Sequence, residues 1–366
     1  MVAFRLPPVV ISFWRRYERL MSMGALALGF LFDIYLAKSP ASVADNILLV
    51  FYLLLTGAII IVFNARSKTF AVGEQNPTER LLLILALQFC FGGLASNLLI
   101  LYGKSGTLGG SGFFVMLLAA FALGNEFLKT KYAQLQFNIA IYYVLLLTYC
   151  TIAIPTFFLH AIGLQEFFIC GAVSLVYTAL YLWLLFFAAY RLRSRRQMVE
   201  VSAIVVIVFG LFSGLYLLNF IPPVPLSVKA IGIYHQITPD DGNYTAIYEA
   251  PEWWAFWRDT SATYNYTAGE SAFCFSAVYA PGKLSTPITH RWEKYDEDTG
   301  AWDTISDVTF PINGGRADGY RGYSEKVAIT PGRWRCDVET ARGQLVGRIS
   351  FTTVATSTPT LSLTHL

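Results

Sequence analysis

Charged side chains are scarce in this chain and unevenly distributed. They make up 14% of the 366 residues, against about a quarter in an ordinary soluble protein. Residues 1–221 carry 15 Lys and Arg but 8 Asp and Glu, whereas residues 222–366 carry 12 and 16, so the net charges are +7 and −4. The first part lacks the polar surface of a soluble domain. The second part lacks the basic surface that nucleic acid requires, and we expect no nucleic-acid partner.

Residue types that mark catalytic and metal sites are also rare. The chain has four histidines, and no two histidines or cysteines stand at metal-ligand spacing. No nucleophile motif is present. The acidic trio Asp296, Glu297 and Asp298 is typical of a solvated hairpin tip, although a carboxylate pair assembled from distant strands stays open. We expect a protein with no enzymatic activity, no cofactor and no metal.

Cysteines are few, and they fall into two groups. Cys90, Cys150 and Cys170 lie inside apolar runs, where a thiol usually acts as a small hydrophobic side chain. Cys274 and Cys336 lie in predicted strands of the second part. In an oxidising compartment they could form a disulfide that closes a loop of about 60 residues. Two buried free thiols are the alternative, and the sequence leaves both open.

Long apolar runs dominate the first part instead. About 20 apolar residues cross the hydrocarbon core of a bilayer as a helix, and a membrane barrel would show alternation that is absent here. Seven runs are predicted to span a membrane: residues 20–37, 47–63, 81–101, 113–128, 139–159, 167–190 and 199–221. The sequence therefore predicts an α-helical membrane bundle over residues 1–221.

Lysine and arginine lie almost entirely on one side of this predicted bundle. The loops of that side hold 13 of the 15, including the four arginines of residues 191–196, while the opposite loops hold Lys38 and Lys104. Short loops rich in Lys and Arg stay in the cytoplasm. The N-terminus is therefore predicted to be cytoplasmic. The chain beyond Pro222, Pro223 and Pro225 is predicted to lie outside.

The second part has the pattern of an all-β domain. Short runs rich in aromatic and β-branched residues alternate with turn signals such as Gly314-Gly315 and Pro331-Gly332. Strands are predicted at 228–235, 272–279, 289–295, 304–310, 320–327, 334–340 and 345–352. Regular short strands without helical periodicity indicate an antiparallel sandwich over residues 226–354. Residues 355–366, rich in Ser and Thr, are predicted to form a disordered tail.

Three polar residues inside predicted spans are candidates for a transport pathway, because such positions are often functional. Asp33 lies near the outer end of the first span, and Asn125 and Glu126 lie near the inner end of the fourth. These opposite depths disfavour a single proton-coupled pair. Polar contacts between helices are the alternative interpretation.

An aromatic cluster is the strongest candidate for a binding surface. It comprises Trp253, Trp254, Phe256 and Trp257. Flat indole rings stack on sugars and anchor protein interfaces. Two structural alternatives stay open, because clustered tryptophans also build domain cores or rest on a bilayer surface.

Several motifs resemble a known family. They are ITHRW (288–292), GGR (314–316), GYRGYSEK (319–326), PGRWR (331–335) and the predicted strand at 343–351. These are similar to the C-terminal domain of the bacterial domain-of-unknown-function family 2914, DUF2914. GFLFD (29–33), NEFL (125–128) and Pro155 are similar to its membrane part. The resemblance covers nearly the whole chain. It implies a bacterial inner-membrane protein with a soluble C-terminal domain, and it supplies no catalytic residues.

Polar and aromatic residues of these motifs fit two roles. They are His290, Trp292, Arg316, Arg321, Tyr323, Ser324, Lys326 and Trp334. They could tie the sandwich together internally, or they could line one binding face. On such a face, Arg316, Arg321 and Lys326 could hold an anionic group.

Binding is therefore the predicted task. The expected ligand is an envelope glycan, a cell-wall polymer or a partner protein, recognised by a β-sandwich in the periplasm or outside the cell. A sensor that acts through a separate cytoplasmic partner is the second hypothesis, and a transporter is the third.

Overall fold

The computed structural model describes residues 42–66, 77–105, 108–124, 128, 131–189, 194–240, 243–267, 269–316, 318–356 and 360–366. The chain divides into two compact units. Of the described residues, unit 1 comprises those within 42–100, 117–146 and 175–208, and unit 2 comprises those within 101–116, 147–174 and 209–366. Unit 2 therefore contains the whole β-domain together with residues 101–116, 147–174 and 209–221 of the helical part.

Six α-helices precede the β-domain in the described part of the chain. They are α1 (Val43–Ala65), α2 (Pro77–Ser105), α3 (Leu108–Gly124), α4 (Leu135–Ile154), α5 (Leu164–Ala188) and α6 (Arg195–Leu217). In an apolar environment the N–H and C=O groups of the backbone must form hydrogen bonds with one another, so a long apolar segment favours a helix. Five of the six contain a stretch that is long and apolar enough to cross a membrane; α3 contains only the shorter stretch Gly112–Ala122.

Seven membrane spans are thus not shown. The prediction at 20–37 lies outside the described residues, and the one at 113–128 corresponds to the short helix α3. The other five match α1, α2, α4, α5 and α6 closely. After α4, Pro155 opens one π-helical turn, Pro155–Leu159, which ends at His160 with φ of 53°.

Eleven strands form in the described residues of the β-domain. They are β1 (Ser227–Tyr234), β2 (Gln236–Asp240), β3 (Asn243–Tyr248), β4 (Thr263–Tyr266), β5 (Ala272–Tyr279), β6 (Ser285–Asp296), β7 (Ala301–Asn313), β8 (Tyr320–Lys326), β9 (Gly332–Thr340), β10 (Leu345–Ala355) and β11 (Ser362–His365). The three sheets have the orders β1-β5-β8, β4-β10-β9-β6-β7 and β11-β3-β2. All pairs are antiparallel except β4 with β10. The domain is thus an antiparallel-rich sandwich.

All seven predicted strands form, but four further strands were not predicted. β2, β3, β4 and β11 are short and rich in Thr, Asn and Ser, so they lack a clear apolar alternation. The prediction of a disordered tail is wrong for Ser362–His365. This segment pairs with β3, and its neighbour Leu366 exchanges backbone hydrogen bonds with Tyr244.

The core of the β-domain joins two sheets through a disulfide. Cys274 in β5 and Cys336 in β9 are bonded, so the disulfide is present rather than two free thiols. Trp292, the neighbour of Cys336 on β6, is fully buried, and Trp334 is 2% exposed. Cross-sheet packing of this kind holds the two layers at a fixed distance.

Candidate functional site

His290 and Trp292 are core residues, although the sequence offered them as candidates for a binding face. Both are 0% exposed. The imidazole of His290 contacts the hydroxyls of Ser276 at 2.8 Å and Ser324 at 3.0 Å, and the Trp292 indole donates to Ser324 at 2.9 Å. Every polar atom of this network has a partner inside the sandwich, and none is available to a ligand.

Burial also sets the charge of His290. It lowers the pKa of the imidazole to about 4, so the ring is neutral near pH 7. Nitrogen and sulfur atoms of His290, Cys274 and Cys336 lie within 4.8 Å of one another. Both sulfurs are used by the disulfide, so this trio is not a metal centre in the oxidised protein.

Arg321 and Tyr323 contact residues of the β11-β3-β2 sheet and stabilise its position. The Arg321 guanidinium donates to the Asn243 side chain at 2.7 Å and to the Leu366 carbonyl at 3.1 Å. The Tyr323 ring meets the Tyr244 ring edge-on at 5.6 Å between centroids. These contacts explain why both residues are only partly exposed.

An anion site formed by Arg316, Arg321 and Lys326 is not assembled. Arg321 and Lys326 stand five positions apart on β8, and an odd separation on a strand places side chains on opposite faces. Arg316 lies outside the strand, with its guanidinium 6.0 Å from the Tyr320 ring centroid. The three cations therefore do not share one surface.

The aromatic cluster, by contrast, is exposed to solvent. We call Trp253, Trp254, Phe256 and Trp257 the aromatic platform; they lie on the loop between β3 and β4. Their exposed fractions are 92%, 53%, 89% and 64%. Trp254 and Trp257 have centroids 5.8 Å apart with planes tilted by 57°, and Phe256 meets Trp257 edge-on at 5.1 Å. Four large rings thus face solvent together.

Hydrogen bonds to its backbone fix the loop that carries the platform. The amide of Ala255 donates to the Glu252 carbonyl at 2.8 Å, and Ala255 is 1% exposed, which fixes the loop centre. The Arg258 side chain donates to three carbonyls, including that of Ser350 on β10 at 2.9 Å. The exposed rings therefore stand on a backbone with defined contacts.

A polar cluster closes the base of the loop. Glu249, where the loop begins, accepts hydrogen bonds from the backbone and side chain of Asn265 on β4, at 2.6 and 2.5 Å. The other Glu249 contact is His235 Nε2 at 3.0 Å, and His235 Nδ1 lies 2.5 Å from Glu270. No sequence motif marks this cluster, because its acidic members lie 14 and 35 positions from His235.

The platform loop contacts one end of β10, and residues 219–221, which follow helix α6, contact the turn at the other end. Beside Leu345, the Gln344 side chain donates to the Ile221 carbonyl at 3.3 Å, and the Arg342 carbonyl accepts from Asn219 at 3.2 Å. At the far end, the Thr352 amide donates to Ala262 of the platform loop at 2.9 Å. Seven residues of strand separate these ends by roughly 23 Å.

Sequence reasoning also missed a charged network on the five-stranded sheet. Its ion pairs are Arg291 with Asp307 and Glu339, Arg335 with Glu293, and Arg348 with Asp337. Each pair bridges adjacent strands, and the Arg335 guanidinium also covers the Trp302 ring at 4.3 Å. This network links neighbouring strands across the face of the sheet.

The remaining candidates, Asp33, Asn125 and Glu126, lie outside the described residues. Their proposed part in transport stays a prediction.

These features define the class of protein. The described chain combines helices that could span a membrane with a C-terminal, antiparallel-rich β-sandwich. A family model described as a protein of unknown function, DUF2914, matches residues 285–353. The match covers β6 to β10, so it supports the resemblance in the β-domain and not over nearly the whole chain.

Similarity to characterised proteins is distant. No curated protein matches the chain. An immunoglobulin-like protein from Pseudomonas aeruginosa is similar at 13% identity, covering 36% of this chain and 98% of that one, with a TM-score of 0.20. Pseudomonas fluorescens alkylpurine DNA glycosylase AlkC, bound to DNA with an abasic site analog, has 9% identity, coverages of 82% and 76%, and a TM-score of 0.21. Neither score supports an inference about fold or function.

Proposed function

We propose that the protein is a non-catalytic, membrane-anchored binding protein whose aromatic platform recognises a glycan of the cell envelope. One observation carries this proposal: four large aromatic side chains are 53% to 92% exposed on a loop with a fixed backbone. Exposing so much apolar surface is unfavourable, and grouped exposed rings mark interaction sites.

A core role and a bilayer belt are both disfavoured for the platform tryptophans. Their exposure is incompatible with a domain core. A belt on the bilayer would lie beside the end of α6, near Ile221, whereas the platform lies at the opposite end of β10, roughly 23 Å away. A surface held away from the helix end is better placed to meet a ligand than to rest on lipid.

The chemistry of the platform favours an uncharged sugar chain. Indole faces stack on the apolar faces of sugar rings, and the tilted Trp254 and Trp257 rings offer two adjacent stacking surfaces. Glu252 and Asp259 are exposed beside the rings, while Arg258 is occupied by backbone carbonyls. The local charge is therefore mildly acidic, which disfavours a polyanionic polymer.

The membrane setting belongs to the same proposal. Helices α1, α2, α4, α5 and α6 are long and apolar enough to span a bilayer. The distribution of Lys and Arg favours a cytoplasmic N-terminus and a β-domain on the periplasmic or outer side of a bacterial inner membrane.

The experiment uses the full-length protein in lipid nanodiscs and a panel of neutral and anionic envelope glycans. We expect saturable binding to a neutral glycan. Trp253→Ala combined with Trp257→Ala should weaken it at least about tenfold, because stacked aromatic residues typically contribute more than 1 kcal/mol each. Trp183→Ala, which removes an exposed tryptophan from α5, is the matched control and should bind like the wild type.

Two results would reject this function. Glycan binding that survives the double substitution would place the site elsewhere. Absence of binding to every glycan would leave a partner protein as the ligand of the platform, to be captured by cross-linking through the same residues.

A sensor is the second candidate, favoured by the direct attachment of α6 to the β9–β10 turn. Besides the hydrogen bonds of Asn219 and Gln344, the Arg342 guanidinium lies 4.6 Å from the Tyr216 ring centroid. Force on β10 would therefore reach the helix end without a flexible linker. Hydrogen exchange in residues 209–221 that changes on ligand binding would favour a sensor, and unchanged exchange would favour simple binding.

A further inference from the structure

Cationic side chains of the β-domain differ in whether a partner neutralises them. Residues 222–366 contain 12 Lys and Arg. Four arginines are ion-paired with carboxylates: Arg291, Arg333, Arg335 and Arg348. Three further cations are held by hydrogen bonds: Arg258, Arg321 and Lys294. The other five form no ion pair with a described residue: Lys229, Lys283, Arg316, Lys326 and Arg342.

Four of these five lie where the sandwich adjoins helix α6, which we call the helix end of the β-domain. We call Lys229, Lys283, Arg316 and Arg342 the basic rim. Lys229 lies near the start of β1, and its ammonium lies 5.4 Å from the ring centroid of Tyr279 at the end of β5. Arg342 lies in the β9–β10 turn, with its guanidinium 4.6 Å from the Tyr216 ring centroid of α6. Lys326, by contrast, lies at the opposite end of β8.

Two turns that contact each other carry Lys283 and Arg316. Lys283 lies in the turn after β5, and Arg316 lies in the loop before β8. The Gly315 amide donates to the Ala280 carbonyl at 3.0 Å, and a Cβ on Gly314 would lie 2.7 Å from the same carbonyl oxygen. Both basic side chains are exposed, so two unpaired charges face solvent from adjacent turns.

The charge of the domain changes sign from one end to the other. Three turns lie at the helix end, residues 280–284, 314–319 and 341–344, and together they hold three basic residues and one acidic residue, Asp318. At the opposite end, the β6–β7 turn holds three acidic residues and no basic one. The helix end is therefore the part of the sandwich that complements an anionic partner.

Apolar surface of α6 adjoins the basic rim. Leu217 and Leu218, at and directly after the end of α6, are 52% and 69% exposed. The Ser285 amide donates to the His160 carbonyl at 3.3 Å, so the turn with Lys283 also lies beside the loop between α4 and α5. Basic residues directly beyond an apolar span are typical of sites that bind anionic lipid headgroups.

We propose that the basic rim binds the headgroups of anionic phospholipids in the membrane that α6 enters, and so fixes the β-domain against the bilayer surface. Arg316 can form paired hydrogen bonds with phosphate oxygens, while Lys229 and Lys283 act as point charges. A lipid is favoured over free phosphate because the exposed leucines beside the rim provide apolar surface for its acyl chains. The inference uses the membrane setting of the proposed function and does not depend on the glycan.

The test measures which lipids lie against the rim of the full-length protein. The protein is placed in phosphatidylcholine nanodiscs that contain a small fraction of one probe, either phosphatidylglycerol or phosphatidylcholine with a photoreactive group near the glycerol. Mass spectrometry then quantifies lipid adducts on residues 280–285 and 314–319. We expect at least about fivefold more adducts from the phosphatidylglycerol probe, which is the typical effect of one Lys or Arg beside an anionic headgroup.

Variants assign the preference to the rim. Lys283→Gln combined with Arg316→Gln should give equal adducts from the two probes. Lys326→Gln is the matched control, because it removes an unpaired lysine from the opposite end of β8, and it should keep the wild-type preference. Lys283→Arg combined with Arg316→Lys keeps both charges and should also keep the preference, which separates loss of charge from a local change of structure.

Equal adducts from both probes in the wild-type protein would overturn the proposal, as would a preference that survives the loss of both charges. Inorganic phosphate added at constant ionic strength should leave the preference unchanged. If it removes the preference, the rim binds free phosphate and the assignment to lipid is wrong. A protein that prefers phosphatidylglycerol at the rim but binds no glycan would reject the proposed function and leave this inference standing.

Discussion

Glu339 shows how one carboxylate sets the pH response of the five-stranded sheet. It lies on β9 with 7% exposure, and Arg291 Nη1 approaches it at 2.9 Å. Burial raises the pKa of Glu339, and the Arg291 guanidinium opposes that rise. The nearby carboxylates of Asp337 and Glu293 raise the pKa further, so that it lies at about 7. The folded protein therefore holds a proton on this side chain at pH values where the unfolded chain does not.

Glu339→Gln is expected to stabilise the protein at pH 8 and to leave its stability unchanged at pH 4. The raised pKa contributes stability below about pH 4.5, and this is lost as the pH rises toward 7. Removing the ionisable group removes that loss. The rise of the pKa from 4.5 to about 7 corresponds to about 3 kcal/mol before solvent screening, so we expect a gain of about 2 kcal/mol at pH 8. Thermal unfolding in detergent between pH 4 and pH 8 measures the effect.

Glu325→Gln is the matched control, because Glu325 is an exposed carboxylate on β8. It should leave the melting curve unchanged. A lower melting temperature for Glu339→Gln at pH 8 would mean that the ion pair with Arg291 outweighs the burial of the charge.

At the scale of single elements, the Gly-Tyr-Arg-Gly-Tyr-Ser block of β8 is structural. Gly319 has φ of 88°, a conformation that side chains rarely adopt. A Cβ on Gly322 would overlap the Phe310 ring of β7. Ser324 completes the buried network with His290. The small residues of this block are needed because β8 and β7, which belong to different sheets, approach closely there.

Gly322→Ala is expected to lower the stability of the β-domain by about 1–3 kcal/mol, because the added methyl group overlaps the Phe310 ring. In a chain that already carries Phe310→Ala, Gly322→Ala should cost less stability, because the ring that the methyl group overlaps is gone. Thermal unfolding measures both. Gly210→Ala is the control, since an added Cβ there meets no atom within 4 Å; a Gly322→Ala protein that melts like this control would contradict the packing account.

The sequence predicted the long elements better than the contacts between them. The seven strands with clear alternation were found. By contrast, β4 and β11 depend on pairing with distant segments, and the hairpin of β2 and β3 lacks a clear apolar alternation. The family motifs also singled out Arg321 and His290. They could not show that His290 faces the core, nor that Arg321 is bound to Asn243 and Leu366.

The sequence predicted one part of the candidate site, the aromatic platform, and missed the other, the His235 cluster. Four aromatic residues within five positions are visible in the sequence, so the platform was found, but only the fold shows that the rings are exposed. The His235 cluster was missed because it joins positions 235, 249 and 270 through tertiary structure. No local motif marks such a site.

At the scale of the whole molecule, unit 2 joins helix ends and β-domain in one compact body. His160, after the π-helical turn, accepts a backbone hydrogen bond from Ser285 at 3.3 Å, and Ile162 packs against the sandwich core. The β-domain is therefore held close to the helix ends. The proposed function requires such a fixed base, with the platform at the end of β10 that is farther from the helix ends.

The most direct test of this account is photo-cross-linking in living cells. A photoreactive amino acid is placed at Trp253 on the platform or at Lys283, an exposed residue two positions before Ser285. We expect lipid adducts from position 283, and from position 253 adducts with envelope glycan and none with lipid. Lipid adducts from position 253 would contradict it, because the platform would then rest on the bilayer.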